Sequence, residues 1–357
     1  MARRWLIATF ACLVQAGAVR AQVFDKARAL LNGDSLAPAK YDTLYVQRVR
    51  DALALSGVVT GQAFGVDITD SLGGTLGYST NNATQYGFAV ALNWLSFEAT
   101  FAVPAIDPAD ARKGVTESRS FGLSTTGRHL WGKALWNSSK GFYAMDPLRV
   151  DSAWVPGDPY PQRTDLVSNT FVASVNYGFN KRHRYSHQAA WSQVERQRRS
   201  AGTGVIGGSF WFSRLASEGS LVPQAQEQDY DPALLFDRLD RYIVAVKGGY
   251  THTFTFWQRG YINLLLLPGF GVQRLLLRPV GSDERSTDWQ GCSVSELRAG
   301  AGYNGPRWYA GLSLATFVNS GEVNDAVSIG TRYTQVRFAV GLRVRPPKSG
   351  FLRSIGL

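Results

Sequence analysis

Apolar residues alternate with small or polar ones at a period of two along much of this chain. From Val167 to Phe179 the odd positions hold Val, Asn, Phe, Ala, Val, Tyr and Phe, and the even ones Ser, Thr, Val, Ser, Asn and Gly. That is the pattern of a strand with one greasy face and one small, polar face. Tyr86 to Trp94 and Leu95 to Val103 repeat it with almost no residues between them, as in a tight hairpin. It is strongest from Arg241 to Phe256 and returns at the end, where Val336, Phe338, Val340, Leu342 and Val344 face Gln335, Arg337, Gly341 and Arg343. Thirteen segments can be read this way, including a weak first one at Leu53 to Val59 and a return strand from Tyr185 to Glu195. A single-chain barrel with both ends on one side needs an even number. The expectation is therefore twelve strands, with fourteen as the alternative, and the error is assigned to Ala216–Leu239 or to the first strand.

Past the N-terminal leader, no run approaches the roughly 18 apolar residues of a spanning helix. The longest, Tyr261 to Leu267, is interrupted by Asn263 and ended by Pro268. Lipid offers no partner to an open sheet edge, so strands that cross a membrane must close on themselves. The predicted fold is all-β, an antiparallel transmembrane barrel of the outer-membrane type, with short periplasmic turns and longer outer loops. Residues 1–21 read as a cleaved secretory leader, with Arg3 and Arg4, an apolar core and Val19-Arg20-Ala21 before Gln22. Residues 22–50 follow as a periplasmic lead-in with a helical pattern at Phe24–Leu31, then the barrel at 51–345 and a tail at 346–357. Trp94, Trp131, Trp257 and Trp308 fall beside turns, where an interfacial girdle belongs. A soluble secreted β-sandwich binding carbohydrate shares the same averages.

Charge narrows the partners. Of 38 basic residues three lie in the leader, leaving 35 against 27 acidic, a balance of +8. In an exported chain this points to lipid head groups, the phosphates of lipopolysaccharide or an anionic solute rather than to nucleic acid. Cys12 lies in the leader, so Cys292 has no internal partner.

Three groups of candidate residues emerge. Alternation turns Glu98, Lys247, Glu296, Arg298, Arg337 and Arg343 toward the lumen, since an Arg or Lys facing lipid at mid-depth costs about 2–4 kcal/mol. They either line a selective pore or pocket, or cross the lumen as salt bridges. The segment Asp158-Pro159-Tyr160-Pro161-Gln162-Arg163-Thr164-Asp165 is stiffened by two prolines. In it, Arg163 is placed either to bind a polar ligand or to pair with Asp158 and Asp165. Arg196, Arg198 and Arg199, after the presumed return strand, fall at the outer rim, where arginine forks match lipid phosphates. His183 and His187 lie too far apart on an extended chain to share an ion, and no metal or hydrolase motif is present. No cofactor is expected.

Tyr41-Asp42-Thr43-Leu44-Tyr45, Lys140-Gly141-Phe142-Tyr143, the loop from Pro156 to Leu166, and Arg184-Tyr185-Ser186 running to Arg198-Arg199-Ser200-Ala201-Gly202 resemble a Bacteroidota outer-membrane family described as domain of unknown function 4421. The resemblance implies an outer-membrane barrel and brings no catalytic residue. The expected role is structural, or a narrow pore for small polar or anionic solutes, inserted by the barrel-assembly machinery. The alternative is an outer-membrane enzyme acting on lipid or lipopolysaccharide.

Overall fold

The computed structural model describes residues 42–49, 53–70, 74–92, 95–103, 109–127, 129–282, 286–324 and 327–344. The leader at 1–21, the helical pattern at Phe24–Leu31, Trp94 and the tail at 346–357 lie outside the described residues. The strands are β1 (Val46–Arg48), β2 (Leu53–Asp70), β3 (Thr75–Ser79), β4 (Gln85–Leu92), β5 (Leu95–Ala102), β6 (Glu117–Thr126), β7 (Leu130–Ala144) and β8 (Gln162–Gly178). They continue as β9 (Glu195–Gln197), β10 (Ala201–Ala216), β11 (Phe236–Phe256), β12 (Gly260–Pro279), β13 (Ser286–Asn304), β14 (Trp308–Asn324) and β15 (Val327–Val344), with one short helix, α1 (His187–Trp191).

Twelve strands pair antiparallel in a ring, in the order β2, β4, β5, β6, β7, β8, β10, β11, β12, β13, β14, β15. β15 closes on β2 in continuous register from Val327 opposite Asp70 to Val344 opposite Leu53. The sheet is a closed barrel and not a two-layer sandwich. β4 to β6 are short, and above them β3 fills the wall by pairing with the upper half of β2 and with the end of β7. In the family-like Lys140-Gly141-Phe142-Tyr143, Gly141 sits at φ +87°, a conformation that suits glycine. The register shift there turns Phe142 into the interior.

The miscounted strand lies at neither expected place. β2 is a full wall strand of 18 residues, and 217–235 is a genuine long loop. The surplus was Tyr185–Glu195, which is not in the wall at all: β8 and β10 are direct neighbours. The ends at which β4 meets β5, β6 meets β7, β11 meets β12 and β13 meets β14 lie together with Leu53 and Val344, and the described long loops lie at the other end. The long segment 179–200 breaks this rhythm by sitting at the short-turn end.

Outward positions form the apolar belt. On β12 they run Ile262, Leu264, Leu266, Pro268, Phe270 and Val272, all exposed, and stop at Arg274. Inward positions of the same strand are Asn263, Leu265, Leu267 and Gln273, all buried. Trp257 and Trp308 are exposed at the short-turn end, as a girdle requires. Trp131 departs from the expectation, because its odd position on β7 turns it into the lumen, where it is buried. Leu266 is 54% exposed in the middle of the belt. Leu266→Arg should lower barrel stability by about 2–4 kcal/mol in urea unfolding from lipid vesicles. An unchanged midpoint would contradict the lipid-facing assignment.

Candidate functional site

The interior is filled from both ends by segments that are not wall strands. At the short-turn end, Asn180 organises the first turn: its side-chain oxygen accepts from the N–H groups of Arg184 (3.0 Å) and Tyr185 (3.2 Å), and its amide donates to Tyr185 O at 2.6 Å. Ser186 caps α1, its Oγ accepting from Ala189 N at 3.0 Å. The chain from Tyr185 to Val194 is buried except for a half-buried Trp191. It plugs the barrel: Tyr185 Oη meets Thr251 Oγ1 at 2.9 Å, and Gln193 Nε2 donates to Tyr261 Oη at 2.6 Å. Asn304 Nδ2 donates to Ala189 O at 3.0 Å and Glu195 O at 2.9 Å. His187 stacks on Trp131 with ring centroids 4.3 Å apart. Burial, with the Arg298 guanidinium as a second cause, holds the His187 imidazole well below its ordinary range, so it stays neutral. Burial also pushes the Tyr185 phenol up to about 12. Below the plug, β1 of the lead-in pairs with β9, and Arg48 joins Glu195 at 3.1 Å.

At the long-loop end, residues 217–235 fold into the mouth. Leu221, Val222, Tyr230 and Leu234 are buried in one apolar cluster with Phe64, Ile68, Tyr78 and Phe317. Arg163 is the latch: it forks onto Asp165 with two bonds of 2.9 Å and donates to Ser220 O at 2.9 Å and Leu221 O at 3.0 Å. Asp158 does not join it and instead accepts from Val155 N at 3.1 Å. Pro161 O accepts from Ala144 N at 2.9 Å, Tyr160 packs on Tyr143 and Trp154, and Gln162 pairs with Tyr143 in the wall. This motif is a strut for the lid.

Against the inner face of the plug lies a chamber of about 150 Å³, floored by His187, Ala190 and Trp191 and walled in part by small residues of β4 to β6. The lumenal candidates converge on it and beside it. Arg337 Nε is 2.6 Å from Glu98 Oε2, Arg298 Nε is 2.6 Å from Glu296 Oε1, and Lys247 pairs with the other oxygen of Glu296. Arg343 lies apart, beneath the plug, donating to Gln193 O at 2.9 Å and to Asn304 Oδ1.

Arg196, Arg198 and Arg199 are not at the long-loop end, where the expected outer rim would lie. Residues 185–195 fold inward instead of crossing the membrane, so the chain is still at the short-turn end when it reaches them. There Arg196 donates to Gln258 O at 2.9 Å, Arg198 to Thr43 O at 3.1 Å, and Arg199 lies over the Tyr45 ring. Sequence reasoning missed the plug, although His187, Ala190, Trp191 and Val194 carry the i, i+3, i+4, i+7 spacing of a helical face. It missed the lid, whose signal is Leu221-Val222 and Leu234-Leu235-Phe236 within a polar loop. It also missed Lys133, hidden in a β7 segment with poor alternation.

Glu296 is the shared counter-charge of Lys247 and Arg298, all of them buried. Removing one member of such a group leaves uncompensated charge, at a cost of about 3–5 kcal/mol. Glu296→Gln should therefore lower the temperature of the folded-to-unfolded gel shift markedly. Arg238→Gln, in a partly exposed pair with Asp240, should move it little. Equal shifts would show that the internal ion network is not what holds this region.

The sequence matches no curated protein. Similar solved structures include the outer membrane protease OmpT from Escherichia coli, 10% identical over 83% of this chain and 98% of that one, with a TM-score of 0.39. Others are the P. putida toluene transporter TodX (8% identity, 84% and 92% covered, TM-score 0.18) and the attachment invasion locus protein Ail of Yersinia pestis (11%, 82% and 99%, 0.19). The family model described as Domain of unknown function (DUF4421) matches residues 40–343, most of the chain, and the chain belongs to that family.

Proposed function

We propose that this protein resides in the bacterial outer membrane, with the short turns in the periplasm, and that it is closed to ions at rest. Its lumen holds a small polar or anionic solute, exchanged when the plug at 179–200 swings away from the wall. The observation that carries this reading is the chamber itself, lined by apolar, small polar and cationic side chains and floored by a hydrogen-bonded plug, with the apolar lid packed into the other end of the barrel. A standing open pore does not fit a lumen filled at both ends. An enzyme acting on lipid finds less support: the four histidines lie toward the short-turn end, His187 inside and His129, His183 and His252 around it. None stands at the long-loop rim, where a base for such chemistry belongs.

In planar-bilayer recordings the intact protein should give no steady conductance at neutral pH. Deleting both Tyr185–Val194 and 218–233 should produce channels that prefer anions over cations. Steady conductance from the intact barrel would overturn the reading.

Plug docking should also depend on pH. The docked His187 resists protonation, while an undocked one takes a proton near pH 6.5. Docking is thus fully favourable above that pH and weakens as pH falls below it. The charged group facing His187 is Arg298 on β13, and the Tyr185 hydroxyl lies 3.5 Å from Nδ1. Hydrogen exchange at Ala189, corrected for the intrinsic rate, should rise between pH 7.5 and 5.5, and His187→Phe should flatten the rise. A flat profile in the unaltered protein would exclude His187 as the titrating latch.

A further inference from the structure

The chamber and its neighbours hold more positive charge than the protein itself balances. Four cations, Lys133, Lys247, Arg298 and Arg337, meet two carboxylates, Glu98 and Glu296, leaving the cluster at +2 among the described residues. Arg337 is matched one to one by Glu98, and Glu296 is divided between Lys247 and Arg298. Among the described residues no carboxylate pairs with Lys133 at salt-bridge distance, and Glu98 and Glu296 reach it only through longer-range attraction. Its ammonium donates to Gln335 Oε1 at 3.3 Å and lies 6.0 Å from the centre of the Phe317 ring. Surplus charge in a partly desolvated interior is costly unless an anion or water compensates it.

The geometry gives that anion a shape. Arg298 is held in place, with its guanidinium carbon 5.5 Å from the Trp191 ring centre and 5.6 Å from that of Phe317. Across the chamber the wall is small and hydroxylated: Ser96 and Ser124 pair at 2.7 Å, and Ser120 donates to Gln62 at 2.7 Å. Hydroxyls both donate and accept, which suits a polyol better than a bare ion. A chamber of about 150 Å³ exceeds several times over the roughly 10–15 Å³ of such space that one water needs, enough for one small acid.

We propose that this chamber is a binding site for one small hydroxylated carboxylate of the sugar-acid class, its carboxylate held by Lys133 and Arg298 and its hydroxyls by the serine wall of β5 and β6. Entry from solution rests on the displaceable plug of the functional reading, whereas binding does not. Full-length protein refolded from urea with labelled D-glucuronate should retain one equivalent per barrel, and D-glucose should not be retained. Lys133→Gln and Lys133→Met, checked for folding by the gel shift, should each weaken retention by tenfold or more, the loss of one charge-assisted bond at about 1.5–3 kcal/mol. Lys133→Arg should restore it. The site is overturned if the refolded protein retains no glucuronate, if it retains glucose equally, or if both neutral variants bind as the unaltered protein does. Retention after refolding with no uptake by protein already folded would uphold the site and reject the moving plug.

Discussion

Closing the sheet is the constraint on which everything else depends. In hydrocarbon each unpaired N–H or C=O costs several kcal/mol, so an edge on β2 or β15 is not tolerable, and the two pair along their whole length. Once closed, the ring sorts its residues by parity. Leu264, Leu266, Phe270 and Val272 must face lipid, and the alternate positions, Lys247, Glu296, Arg298 and Gln273 among them, have only the lumen. Charges sent inside must then find each other, which is why Glu296 serves both Lys247 and Arg298 and why Glu98 on β5 reaches Arg337 on β15 over the two intervening strands β2 and β4.

A twelve-strand ring encloses more space than its own small inward residues fill. The chain closes the remainder with its connections. The plug at the short-turn end works by polar complementarity: amide and hydroxyl groups of Asn304, Thr251 and Tyr261 take up the backbone and side chains of a segment that would otherwise carry unpaired groups into the barrel. The lid works by apolar burial, with Arg163 donating to the carbonyls of Ser220 and Leu221 and the Tyr78 hydroxyl donating to the latter as well, at 2.8 Å. The chamber remains beside the plug and short β4 to β6, whose inward positions include Ala89, Ala91, Ser96, Ser120 and Ser124. Its place and its charge follow from the same parity that closed the wall.

Much of this was legible in the sequence. Period-two alternation sees one strand at a time, and it located most of the wall, the lipid belt and the inward charges because lipid punishes error at those positions, but it missed β3 and the upper half of β2. It misled at Tyr185–Glu195, where apolar residues of a buried helix happen to alternate over a short run. That one misreading also moved Arg196, Arg198 and Arg199 to the wrong side, since each supposed crossing inverts the end at which the next residues emerge. The partners of Arg163 were half visible: Asp165 is two positions away on the strand, but the carbonyls of Ser220 and Leu221 come from a loop that pattern alone cannot place. Lys133 and the chamber were not legible, because a cavity is a property of what the whole ring leaves unfilled.

The central claim is that Tyr185–Val194 lies inside the barrel. In a Cys292→Ser background, single cysteines replacing Ala190 and Lys181 can be challenged with a membrane-impermeant thiol reagent in intact proteoliposomes and in detergent. Lys181 is exposed at the short-turn end and Ala190 is buried against the chamber. The account predicts rapid labelling at position 181 and strong protection at position 190 at neutral pH, with the barrel folded. Equal labelling at the two positions would place the segment outside the lumen and contradict it.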